Sequence, residues 1–210
     1  MIEIRKYDLP DARLLESNCD DAELLVWTPP FFCIVMGQSG KAAEALHVET
    51  VKKDKIPVYK RPSGGETVVL SGHTLVISYL KKNEPLRSPK LYFNRYNEKI
   101  IAALRGLGVE HLSRAGISDI CIESKKILGS SIYRDKDTLL YHAVLNISET
   151  AENIGKYLKH PAREPGYRQG RPHRDFVTSL TDRGYDLNPK LIRSIILKKW
   201  AEDEKFDQKL

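Results

Sequence analysis

The sequence predicts an α/β (α+β) fold of mixed β-sheets flanked by helices, and three features of its 210 residues carry that expectation. β-branched and aromatic residues gather in short runs within 23–36, 67–80 and 117–147, a composition that suits a pleated, half-buried surface. Two other segments, 91–107 and 188–200, space their apolar residues three and four apart, as a helix packed on a sheet requires. No repeat and no linker divides the chain, so 1–210 reads as a single domain.

Taken in order, residues 1–6 alternate apolar and polar side chains as a short edge strand does, and Pro10-Asp11 opens a helix to about Cys19. The hydrophobic runs 23–27 and 31–36, separated by Thr28-Pro29-Pro30, have the pattern of a hairpin or strand pair that Gly37 ends. Residues 47–54 are charged and helical in spacing. The runs 67–70 and 74–80, with Ser71-Gly72-His73 between them, read as a second hairpin, and the polar segment 81–89 as a loop. Leu91, Phe93, Tyr96, Ile100, Leu104 and Leu107 then form one face of a helix stopped at Gly106-Leu107-Gly108. Strands return over 117–123, 126–133 and 139–147, followed by a helix over 149–158 with Ser148 as its N-cap. The Pro-, Gly- and Arg-rich stretch 161–174 reads as a surface loop. Asn188-Pro189 starts a last helix with Leu191, Ile192, Ile195, Ile196 and Trp200 on one side.

The most concentrated chemistry lies in 60–80, where Lys60 and Arg61 enter a Pro62-Ser63-Gly64-Gly65 turn and Thr67 leads into the next β-rich run. A glycine pair lets main-chain N–H groups approach a ligand, and a flanking guanidinium can fork onto a carboxylate or phosphate. The stretch therefore suits an anion cradle. It equally suits a plain hairpin turn that needs glycine for its backbone angles.

Bulk composition narrows the classes of function. A hydrophobic share of 41% and a charged share of 30% describe a soluble globular chain, and a net charge of +6 favours acidic partners. The basic residues are scattered among 28 acidic ones, which argues against nucleic acid as the target. Cys19, Cys33 and Cys121 are odd in number and widely spaced, so neither a disulfide framework nor a zinc motif is expected. No apolar run approaches the roughly 18 residues that span a bilayer, and residues 1–10 lack the pattern of a signal peptide. The expectation is a cytoplasmic protein that meets no membrane.

Four segments in order carry a more specific signal: Arg61-Pro62-Ser63-Gly64-Gly65, Gly116-Ile117-Ser118-Asp119-Ile120, Lys126-Ile127-Leu128-Gly129-Ser130, and Tyr141-His142. Together they resemble the lipoate-protein ligase and octanoyltransferase family, over about residues 20–180. The family's fold is shared with the catalytic domain of class II biotin/lipoyl ligases. The resemblance implies ATP-dependent activation of lipoate or octanoate to an acyl-adenylate, and transfer to a lysine of a small acidic lipoyl-carrier domain. It implies Lys126 as the catalytic group, stabilising charge on the reacting carboxylate and phosphate. Arg61, Ser63, Gly64, Gly65, Thr67, Gly116, Asp119, Gly129, Ser130 and His142 become candidates for binding lipoate or adenylate. Lys125 should point the other way from Lys126 in an extended segment. Asp119 is also the candidate Mg²⁺ ligand, since hard cations prefer oxygen, although an Asp at a strand end also caps turns. A His on a β-run is otherwise often a satisfied structural group.

Three departures from the family pattern accompany it. Residues 11–16 keep only part of an Asn-x-Ala-x-Glu-like helix pattern, and Leu70-Ser71 stand where many ligases carry a His-Asp pair. No C-terminal accessory domain follows within the 210 residues, so a separate accessory subunit is possible on this reading. A transferase, which passes the acyl group through a cysteine thioester, is the alternative within the family, but no cysteine stands where its thiol is expected. A subunit that binds lipoyl carriers without catalysis is the alternative outside enzymes.

Overall fold

The structure is a computed structural model that describes residues 2–85 and 87–207. Its strands are β1 (Arg5–Lys6), β2 (Ala22–Trp27), β3 (Cys33–Met36), β4 (Val58–Lys60), β5 (Val68–Leu70), β6 (Thr74–Lys82), β7 (Leu112–Ala115), β8 (Asp119–Ile122), β9 (Lys125–Asp135) and β10 (Thr138–Asn146). The helices are α1 (Ala42–Ala45), α2 (Val48–Lys53), α3 (Pro89–Arg105), α4 (Ala151–Tyr157), α5 (His173–Phe176) and α6 (Pro189–Asp207). Two sheets form, one in the order β1-β4-β3-β5 and one in the order β2-β6-β10-β9-β8-β7. The smaller is mixed, β4 lying parallel to both β1 and β3, while β5 runs antiparallel to β3. The larger is antiparallel throughout.

Period-2 alternation explains how these sheets stack. Along β3 all four residues are buried, with Ile34 and Met36 packed on Val51 of α2 and on Tyr157 at the end of α4, while Cys33 and Val35 join Leu70 and Val76 between the sheets. Along β6, Leu75, Ile77 and Tyr79 face α3 and α6, and Val76 faces the smaller sheet. The result is a helix layer, two sheets, and a second helix layer. Apolar residues on both faces of the central strands are what this layering requires.

The largest cluster lies between the six-stranded sheet and α3 and α6. Tyr79, Tyr96, Tyr141 and Trp200 meet there at ring-centroid separations of 5.1 to 6.0 Å. Leu91 is 53% exposed and Leu191 is 46% exposed, so both stand off the core-facing stripes expected of their helices. The buried neighbours are Tyr92 on α3 and Ile192 on α6.

Several local expectations change. Neither hairpin forms. β2 pairs with β6 in the large sheet while β3 joins the small one, because Pro29 and Pro30 lack the N–H groups that would continue a ladder. β5 pairs with β3, and β6 with β2 and β10, so Ser71-Gly72-His73 carries the chain between sheets. Residues 10–16 form a 3-10 helix, and α4 is capped by Thr150, whose Oγ accepts from Asn153 N at 3.1 Å. The Ser148 hydroxyl is engaged instead with His73 Nδ1 at 2.9 Å. Of the edge strand expected over 1–6, Arg5–Lys6 form β1, and Met1 lies outside the described residues. The 161–174 stretch is largely exposed and irregular, as a surface loop is, but Arg168 within it is buried at 4% exposure. No helix among the described residues is long and apolar enough to cross a membrane.

Truncating Trp200 to Ala is expected to lower unfolding free energy by about 3–5 kcal/mol, and Leu191→Ala by under about 0.5 kcal/mol. Urea denaturation of the two variants checks this.

Candidate functional site

The two sheets do not fill the space between them. A cavity of about 560 Å³ is walled by Val35 and Leu70 of the smaller sheet and by Val76, Gly129, His142 and Val144 of the larger. A second cavity of about 160 Å³ adjoins it, reaching under Ile154, Leu158 and Phe176. Both are lined by Glu66, Thr67, Val68, Lys126, Gly129, Val144, Arg163 and Pro165. Lys126 therefore stands where the two spaces meet.

The 61–65 turn is shaped by its own arginine. Arg61 is 6% exposed, and its guanidinium donates to Ser63 Oγ at 2.9 Å, Val35 O at 3.2 Å, Gly64 O at 2.7 Å and Glu66 O at 2.9 Å. Burial lowers its pKa to about 10, with Tyr7 and Glu66 opposing, so it remains a cation at neutral pH. A guanidinium held by carbonyls fixes the loop that carries it. Ser63 Oγ also meets Ser131 Oγ on β9 at 3.1 Å, tying the turn to the opposite sheet. Close approach explains Gly37: a Cβ there would lie 2.0 Å from the Gly65 carbonyl oxygen.

The 116–119 and 126–130 segments meet. Ser130 donates from both N and Oγ to Ser118 O, at 3.1 and 2.6 Å, which pins the Gly116 turn to β9. Lys126 Nζ lies 2.8 Å from Asp119 Oδ1. The lysine side chain runs over Gly129, where a Cβ would stand 2.7 Å from Nζ. Lys125 Nζ points elsewhere and donates to Arg174 O at 3.3 Å. The Lys126 main chain is gripped as well, its carbonyl accepting from Thr178 N at 2.9 Å.

Asp119 is shared between two side chains, Oδ1 facing Lys126 Nζ and Oδ2 facing Tyr167. Its second oxygen accepts from the Tyr167 hydroxyl at 2.7 Å. Among the described residues no group of three His, Cys, Asp or Glu side chains could hold a metal.

His142 lines the larger cavity at 6% exposure. Its Nδ1 lies 3.0 Å from Asp11 Oδ2, and its buried Nε2 has no partner among the described residues. Asp11 is fully buried and also accepts from Tyr7 OH and Ser78 Oγ, both at 2.7 Å. Burial pushes its carboxyl up, but the bonds from His142, Ser78 and Tyr7 outweigh that and leave it below the ordinary carboxylate range. Sequence reasoning did not place Asp11, Tyr7, Arg163 or Tyr167 in the site. Only the partial helix pattern at 11–16 and the arginine-rich stretch 161–174 hinted at them.

The departure at Leu70-Ser71 has a structural account. Leu70 packs between the sheets, and the Ser71 hydroxyl donates to the buried Glu149 Oε2 at 2.5 Å, which holds the crossover between sheets. None of the cysteines lines either cavity. Burial pushes the Cys33 thiol up to about 12 and raises that of Cys121 as well. A thiol so raised is a poor nucleophile.

Lys126 is thus shared by two adjoining cavities, each with both apolar and charged residues in its wall. Residues 10–201 match the family model of the lipoyl protein ligase A/B catalytic domain, and the chain belongs to that family. It is 27% identical over 126 residues to lipoate-protein ligase LplJ of Bacillus subtilis, a match covering 60% of this chain and 37% of that protein. The chain thus spans well under two thirds of that relative's length. Its fold is that of a lipoate-protein ligase A solved with bound ATP, at TM-score 0.78 and 20% identity over 96% of this chain and 83% of the other. A bi-partite lipoate protein ligase from Thermoplasma acidophilum, described with its E2 lipoyl domain, aligns at TM-score 0.75 and 22% identity over 87% of this chain and 71% of the other.

His173 gives the site a pH signature. Burial, with Arg168, His160, Lys126 and His47, depresses its pKa to about 4. The unfolded chain then binds a proton, near the ordinary value of 6.5, that the folded chain refuses, so this group costs stability as pH falls from 6.5 towards 4. His173→Gln should flatten that part of the stability profile, as measured by melting temperature between pH 7 and 4.5.

Proposed function

We propose that this chain is the catalytic domain of a lipoate-protein ligase, activating lipoate or octanoate with ATP and passing the acyl group to a lysine of a lipoyl-carrier domain. The observation that carries this reading is the Lys126 amine, set at the junction of the two cavities. The larger cavity, with Val35, Leu70, Val76 and Val144 in its wall, suits a medium-length acyl chain. The smaller sets Lys126, Lys159, Arg163 and Arg168 against a single acid, Glu66, among apolar walls, and suits the phosphate end of a nucleotide.

In the first step a carboxylate oxygen of the acid attacks the α-phosphorus of ATP, and pyrophosphate leaves with the bonding pair. In the second the carrier's lysine amine attacks the acyl carbon, AMP leaves, and the amine proton passes to solvent. Negative charge grows on oxygens at the same place in both steps, and a fixed ammonium there lowers both barriers. Arg61, Gly65 and Thr67 form the edge against which acyl chain and adenylate lie, with Ser63 buried behind them and bonded to Arg61 and Ser131. The Gly116 turn, held by Ser130, forms the facing edge. Magnesium would arrive with ATP, holding phosphate and water oxygens, since the described residues present no cluster for it.

The similarly folded ligase solved with ATP supports the nucleotide assignment, and the bi-partite ligase with its E2 lipoyl domain supports a carrier and a separate accessory chain. The net charge of +6 favours an acidic carrier. Thiols that line neither cavity favour ligation over a thioester transferase.

AMP release and mass gain on a lipoyl domain, with ATP, Mg²⁺ and free lipoate or octanoate, test the reading. Lys126→Ala should lose about a thousandfold in rate while Lys125→Ala stays near wild type. Absence of AMP in the wild type with both acids would overturn the proposal. Gly129→Ala is expected to lose about a hundredfold, because the new Cβ displaces the lysine tip. Its urea midpoint should hardly move, since a flexible side-chain end can give way.

A further inference from the structure

We infer that Tyr167 is a positioning residue that acts through Asp119 to hold the Lys126 amine at the junction of the two cavities. The inference rests on the proposal that Lys126 stabilises the reacting groups. It assigns a task to the 161–176 segment that sequence motifs do not reveal.

The contacts form a directed chain. Cys121 Sγ approaches the Tyr167 hydroxyl at 3.7 Å, that hydroxyl donates to Asp119 Oδ2 at 2.7 Å, and Asp119 Oδ1 holds Lys126 Nζ at 2.8 Å. A carboxylate with one free oxygen can turn about its terminal torsion, since such sp³–sp² rotations are broad. With both oxygens occupied from different directions, it cannot turn without losing one bond. Burial and the neighbouring Asp119 keep the Tyr167 phenol far from ionising, so it remains a donor wherever the protein is folded.

Tyr167 is itself held on three sides. Its ring packs against Phe176 at a centroid separation of 5.2 Å, and the Arg168 and Arg171 guanidinium groups stack on Phe176 at 4.6 and 5.4 Å. Arg171 clamps the main chain, donating to Tyr167 O at 2.9 Å and to Ser124 O at 3.2 Å, just ahead of β9. On the far side lies Gly116, with φ of +57°, where a Cβ would stand 3.3 Å from Tyr167 Cε1. The Gly116 turn and the arginine-bearing segment are thus both shaped to the tyrosine that reaches Asp119. Movement of this segment away from the cavities would withdraw the phenol and release the carboxylate.

The test uses Tyr167→Phe, which keeps the ring and removes one hydroxyl, with Asp119→Asn and the double variant. Competitive acetylation of Lys126 against Lys125, read by peptide mass spectrometry without substrates, reports the restraint directly. Tyr167→Phe and Asp119→Asn should each raise Lys126 labelling relative to Lys125 by about fivefold, the worth of one hydrogen bond, and the double variant should equal Asp119→Asn. In AMP release, Tyr167→Phe should lower kcat with little change in KM for lipoate, again without adding to Asp119→Asn. Unchanged or reduced Lys126 labelling in Tyr167→Phe would overturn the inference, as would effects that add, because the tyrosine would then act by packing alone. If labelling behaves as expected while wild type releases no AMP, the positional coupling stands and the ligase reading falls.

Discussion

Charges taken out of water between the two sheets set the terms for everything near the site. A buried ion is tolerated only when hydrogen bonds or an opposite charge replace its hydration. Arg61 meets that condition with one hydroxyl and three main-chain carbonyls, and the carbonyls it gathers are those of its own turn and of β3. Asp11 meets it with Tyr7, Ser78 and His142, which come from three parts of the chain. Satisfying these two groups holds the 3-10 helix, the 61–65 turn, β6 and β10 in one arrangement. The cavity is what that arrangement leaves open.

The same constraint explains why Lys126 is usable. Placed against Asp119 and over a glycine, its amine is neither solvated freely nor sealed in the core. It retains a 29% exposed side chain while its partner keeps only 9%. The fold spends rigidity on the carboxylate and leaves the ammonium facing the space where ligands meet. Main-chain contact through Thr178 and side-chain contact through Asp119 fix it from two directions. Such preorganisation is what electrostatic stabilisation of developing charge demands.

Much of the fold was legible because its signals are local or periodic. The long helices α3 and α6 and the strands β6, β8, β9 and β10 emerge from spacing alone, within a few residues at their ends. Strand partnership was not legible. Val68–Leu70 and Thr74–Lys82 are adjacent in sequence and apolar on both faces, so nothing local distinguishes a hairpin from a crossover between stacked sheets. Leu91 shows a related limit, since its spacing fits a core stripe that the neighbouring Tyr92 fills.

The sequence by itself determined the four ordered segments that resemble the family and the separate directions of Lys125 and Lys126. These follow from residue type and strand geometry over a few positions. Only the tertiary structure decided that Asp119 is shared by Lys126 and Tyr167, that Asp11 anchors His142, and that Arg61 serves its own loop. The physical reason is distance along the chain: Tyr167 lies 48 residues from Asp119, and Asp11 lies 131 from His142. A hydrogen bond between such partners leaves no period or spacing to read, and exists only once two sheets and a folded-back segment have closed around it.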